Sequence, residues 1–144
     1  MNTKTIFGTV AGGVAFFMSG WLIYGLLLQN LMTQEDTNGI MKKEEDYVWW
    51  ALVLSNLVWA YLVTWIIQLK SSFGLVNGLK TGFWIGLITG LAYDLGLFAM
   101  SHMFKSFQDV LFDVLANSLL FTIAGAVIGL VAGKQEKSEE NKTV

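Results

Sequence analysis

The chain has 144 residues, 54% of them hydrophobic and only 14% charged, with a formal net charge of −2. An ordinary soluble domain carries about 25% charged residues, and a mildly acidic balance offers no basic surface for nucleic acid. Cysteine and proline are both absent. Disulfides, thiolate chemistry and cysteine-based metal sites are therefore excluded, and no helix needs a proline kink.

The charges fall between long apolar runs, which predict an all-α polytopic membrane protein with four transmembrane helices in an antiparallel bundle. The first run, about 6–32, exceeds the roughly 30 Å hydrocarbon core at 1.5 Å per residue. It reads as a retained span, since no small-x-small cleavage site follows it. The polar segment 33–46 reads as a solvated loop; its acids and lysines lack calcium-loop spacing. The second span, about 47–69, opens on Tyr47, Trp49 and Trp50, aromatic side chains suited to the headgroup boundary. Gly74, Asn77 and Gly78 suggest a short connection before the third span at about 79–104. Lys105 and Ser106 suggest a tight turn before the fourth, about 107–133, whose first turn carries Asp109, a charge favoured at a helix N-terminus. The tail 134–144 reads as polar and disordered, and its sequon at Asn141 as chance.

Lys4, Lys70, Lys80, Lys134, Lys137 and Lys142 lie on one side of the predicted spans, and Lys42, Lys43 and Lys105 on the other. That bias predicts an inner-membrane protein with both termini in the cytoplasm. The lipid bilayer is the partner that the composition implies.

Glycines recur at spacing four in the third span, at Gly78, Gly82, Gly86 and Gly90, and the stripe ends on Asp94. The fourth span reverses the order: Asp109, Asp113, Asn117, Phe121, Gly125, Gly129, Gly133. In antiparallel packing, glycine would meet glycine at one end, and carboxyl would meet carboxyl or amide at the other. Small residues let helix backbones approach closely in lipid, where little hydrophobic drive exists between helices. The motif reads first as packing within a monomer, and it can also serve a homo-oligomer interface. Because a spacing of four drifts round a helix, the two ends of the stripe are expected to face different neighbours.

Asp94 is predicted just past the middle of its span, where translocon-type scales charge a carboxylate about 2.5–3.5 kcal/mol. It is expected to face the interior, protonated or hydrogen-bonded to an amide, with Asn117, Asp113 and Asn56 as partners. Two readings stay open. In one, these residues form a proton or cation relay or substrate grip, with Asp109 and His102 towards an outer mouth. In the other, one buried Asp–Asn contact fixes helix register. Asp109 also reads simply as an interfacial N-terminal residue, and His102 as a solvated one. No phosphate-binding loop, zinc-binding helix motif or nucleophile elbow is present. Neither catalytic residues, nor a cofactor, nor a metal site is expected.

Several segments, Gly20-Trp21-Leu22-Ile23-Tyr24-Gly25, the glycine stripe of the third span, Asp113, and Gly125 to Lys134, resemble a bacterial family. That family comprises small four-helix integral membrane proteins defined as a domain of unknown function. The resemblance implies fold and location and supplies no activity. Small multidrug exporters and fluoride channels are similar in size. The first span here lacks the exporters' acid, however, and the channels' phenylalanine- and threonine-rich filter is not found. Two functional expectations follow: a structural or binding role through glycine-mediated packing, or a small channel or proton- or cation-coupled transporter using Asp94.

Overall fold

A computed structural model of the chain describes residues 3–27, 42 and 44–140. Helix α1 (Thr3–Leu22) runs on into a wider π turn (Ile23–Leu27). After a single 3-10 turn (Glu44–Asp46) come α2 (Trp49–Leu69), α3 (Leu75–Met100) and α4 (Phe107–Glu140). All four helices are long and apolar enough to cross a bilayer, and the described residues contain no strand. Large apolar side chains point outward along them, among them Phe7, Met18, Trp50, Trp84 and Ile88. Such an exterior is stable only where hydrocarbon is the solvent, so the chain is a multi-pass, all-α membrane bundle.

Several predicted boundaries move. The first helix begins earlier than expected, and residues 28–32 of the predicted span, with 33–41 and 43 of the predicted loop, lie outside the described residues. Helix α3 is displaced towards the N-terminus at both ends. Gly74 takes φ 101°, a conformation that suits glycine, and its N–H donates to the Gly129 carbonyl of α4 at 3.0 Å. The helix then starts at Leu75, and Gly78 belongs to it as a packing residue. At the other end Ser101 turns extended, and its hydroxyl donates to the Leu97 carbonyl at 2.7 Å, so the helix stops at Met100. Asp94 is thus under two turns from the helix end and shallower than the sequence suggested. The tail also differs: Lys134 to Glu140 continue α4 as helix. That stretch is free of glycine and proline, so nothing interrupts the backbone hydrogen bonding. The 34 residues of α4 give a rod about 50 Å long, which extends past the hydrocarbon.

Helix α4 is central and touches the other three, while α3 lies against it along the longest seam. The core gathers Phe16, Ala60, Val63, Ile67, Phe121, Ala124 and Ile128. Phe121 meets Phe16 edge-on, with centroids 4.7 Å apart, and Trp59 at 5.2 Å. Helix α1 supplies notches and α2, which lacks glycine, supplies the side chains that fill them. Thr64 lies over Gly8, Ala60 over Gly12 and Leu57 over Gly13, and Ile128 of α4 reaches Gly8 and Gly12.

The α3–α4 seam is closer still. A methyl group at Gly125 would come within 2.9 Å of the Gly82 Cα, and one at Gly129 within 3.0 Å of the Gly78 Cα. Gly86 and Gly90 continue the same seam against Phe121, Ser118, Asn117 and Val114, and Gly133 lies beside Phe73 and Gly74. The whole stripe therefore stays against α4, contrary to the expectation that its ends face different neighbours. The two helices wrap far enough to keep pace with the drift of the pattern.

Ser106 and Asp109 close the start of α4. The Ser106 N–H and hydroxyl both donate to the Asp109 carboxylate at 2.9 Å, and the Asp109 N–H donates back to the Ser106 hydroxyl at 3.3 Å. This is a capping box with aspartate in the acidic position. The variant S106A should lose about 1 kcal/mol of stability, read as a lower unfolding temperature in detergent with no change in helix content at low temperature.

Candidate functional site

The antiparallel α3–α4 register brings Gly78 beside Gly125 and Gly129 at one end, and Asp94 towards Asp113 at the other. Asp94 is only 3% exposed. Its carboxyl and that of Asp113 are close enough to influence each other electrostatically, and the Tyr24 phenol is close enough to influence both, with no hydrogen bond formed among the three. One oxygen of Asp94, Oδ2, is enclosed and has no hydrogen-bond partner. Buried polar atoms are rarely left so, because desolvation without a partner costs about 1–3 kcal/mol.

Tyr24 is the member that sequence reasoning missed. It stands in the π turn at the end of α1. Its neighbour Ile23 is buried against Ala116 and Leu120 of α4. In a regular helix, successive side chains diverge by about 100°. The wider turn reduces that angle, so Ile23 can pack on α4 while Tyr24 still reaches Asp113. Single π turns recur at functional positions in helices. The signal present in the sequence was depth: Tyr24 lies near the end of its span, as Asp113 lies near the start of its own.

The amides do not join this cluster. Asn117 Nδ2 donates to the Gly86 carbonyl at 2.8 Å and lies 3.5 Å from the Thr89 hydroxyl. It is therefore an interhelical clasp, one turn deeper than the carboxyl pair, and not the partner of Asp94 that was expected. Asn56 is displaced further. Its Nδ2 donates to the Leu52 carbonyl of its own helix at 2.8 Å. Its side chain lines an apolar groove of about 270 Å³ with Val10, Gly13, Val14, Phe17, Val53 and Leu57. Depth alone suggested Asn56; its rotational position on α2 turns it towards α1.

At the predicted mouth, Asp109 is engaged in the α4 cap, and His102 is exposed in the 101–106 connection. The interactions of Asp94 and Asp113 run to each other and to Tyr24, so neither mouth residue belongs to the pair. Phe104, from that same connection, folds back onto Val110 and Val114. The hydroxyls of Thr64, Ser118 and Thr122 donate to carbonyls of their own helices at 2.6–2.7 Å, as side chains of this type do in helices.

Replacing Asn117 with leucine removes the hydrogen bonds that its amide donates to Gly86 and Thr89 of α3. Interhelical bonds of this kind in membranes are worth about 0.6 kcal/mol on average and up to about 2, and the Gly86 carbonyl still accepts within its own helix. A small loss of thermal stability in detergent is expected for N117L, with the Asp94 region unaltered. A collapse of the bundle would show that the clasp carries far more than its geometry suggests.

Two carboxyl groups and a phenol, from three helices, with Asp94 buried, Asp113 half-buried and Tyr24 exposed, can pass a proton among themselves or offer oxygens to a small cation. Among the described residues no group of three or more histidines, cysteines, aspartates or glutamates is arranged to hold a metal ion. No protein-family model, curated protein or solved structure matches the chain.

Proposed function

We propose that the protein is a small inner-membrane protein, with both termini cytoplasmic, that exchanges protons or a monovalent cation at Asp94, Asp113 and Tyr24. The observation that carries this reading is the enclosed, unpartnered Oδ2 of Asp94 beside a second carboxyl. A residue kept only to fix helix register would have its oxygens satisfied. The register role is already filled by Asn117 on the Gly86 carbonyl. An ionisable side chain held inside a membrane bundle is functional by default, and the phenol on a π turn gives it a partner from a third helix. Lysine placement supports the orientation. Proton and cation flux into liposomes carrying the parent or D94N protein tests the proposal.

A second reading, a structural or binding component acting through glycine-mediated packing, is favoured by the α3–α4 seam. Those glycines are occupied within one chain, so this reading assigns them to the monomer and leaves self-association to the outer faces.

A further inference from the structure

Among residues whose side chains are described, the acids Glu45, Asp46, Asp94, Asp109 and Asp113 lie towards one end together with Lys42 and Lys105, while Lys4, Lys70, Lys80 and Lys134 lie towards the other, which has no described acid. At that lysine end α1 begins, α2 finishes, α3 begins and α4 leaves the bilayer. Phe73 ties these pieces together: the Lys4 ammonium lies 5.8 Å from its ring centroid, and Gly133 adjoins its Cβ.

Beneath the lysines is a polar pair. The Thr5 hydroxyl donates to Gln68 Oε1 at 3.1 Å, which orients the amide. Its Nε2 is enclosed and has no hydrogen-bond acceptor, and the same holds for the Thr9 hydroxyl one turn further in. Gln68 is the penultimate residue of α2 and only half-buried, so the amide sits at headgroup depth, where a turn of its side chain brings the enclosed Nε2 to a headgroup oxygen. The acceptors a bilayer offers at that depth are phosphate and ester oxygens. An anionic headgroup also answers the lysines, each worth about 1 kcal/mol near an anionic leaflet.

We propose that this corner seats the phosphate of an anionic phospholipid, with Gln68 Nε2 as a directed donor and Lys4, Lys70 and Lys134 as the surrounding charge. The proposal is independent of the carboxyl site at the opposite end. It separates two contributions. The lysines supply attraction that salt screens, and Gln68 supplies a local hydrogen bond that recognises the phosphate.

The test uses the full chain in nanodiscs of phosphatidylcholine alone or with phosphatidylglycerol, reading unfolding temperature and the lipid retained in native mass spectrometry. Phosphatidylglycerol should raise the unfolding temperature and be retained preferentially. K70Q/K134Q should lower that preference about fivefold or more, and Q68L should lower it further with the salt dependence unchanged. K105Q, at the opposite end, should leave it as in the parent. Should Q68L fail to fold, Q68M gives the same readout with a flexible apolar chain. Equal retention of the two lipids overturns the proposal. So does a Q68L or Q68M protein with undiminished preference, which would reduce the corner to diffuse charge. Inorganic phosphate added to phosphatidylcholine discs should have no effect; an equal rise in unfolding temperature there would overturn the lipid assignment in favour of a free anion.

Discussion

The variant G82L should lose the α3–α4 seam. A Cβ at Gly82 would sit 2.8 Å from the Phe121 carbonyl carbon and 3.1 Å from the Thr122 Cα, both backbone atoms of α4. Backbone cannot rotate aside as a side chain can, so the helices must separate. Separation strips dispersion contacts along the seam and pulls the Asn117 amide from the Gly86 carbonyl. Overpacking of a tight interior costs about 1–3 kcal/mol, and a displaced helix pair in lipid should reach the upper end or beyond. The measurement is thermal unfolding in detergent, with the α3–α4 distance followed by a spin-label pair. By contrast, G96A should be silent, because nothing lies within 4 Å of a methyl group there. Should G82L unfold with the parent, the seam is not where the bundle holds together.

The second large effect concerns chemistry and not stability. The variant D94N keeps the shape of the side chain and places an amide beside Asp113, where it can donate to that carboxyl. Folding and unfolding temperature should be close to those of the parent. Proton or cation flux in liposomes should fall about tenfold or more, since the buried group that exchanges charge is gone. Y24F should give a partial loss, because it removes one hydroxyl and leaves both carboxyls. A D94N protein that conducts as the parent does would remove Asp94 from any transport role and leave the packing reading in place.

The sequence made much of this architecture legible, because hydrocarbon imposes simple rules. Backbone groups must be satisfied within each segment, so four apolar runs had to be four helices. The reversed glycine patterns lie in antiparallel helices, where a Cβ at Gly125 or Gly129 would meet Gly82 or Gly78, so spacing and chain order together place these residues at one depth. Rotation was harder to read. Asn56 shares the bilayer interior with Asp94, yet its face of α2 looks at Val10 and Gly13 of α1. Tyr24 was obscured by the opposite problem: an aromatic residue near a span end resembles an interfacial anchor, and only the π turn redirects it to Asp113. The connection at Gly74 to Gly78 misled for a third reason. In water those glycines would favour a loop, whereas here Gly78 lies within α3, where its missing side chain is what lets α4 approach.

Exchange at Asp94 is most directly visible in its own carboxyl vibration. Infrared difference spectra of the protein in bilayers, taken on changing pH and on replacing sodium by choline, isolate carboxyl groups that gain or lose a proton or a cation. A carboxyl band that responds to at least one of these changes and disappears in D94N is the expected result. A spectrum in which no carboxyl band responds to either, or in which every responding band persists in D94N, would contradict it.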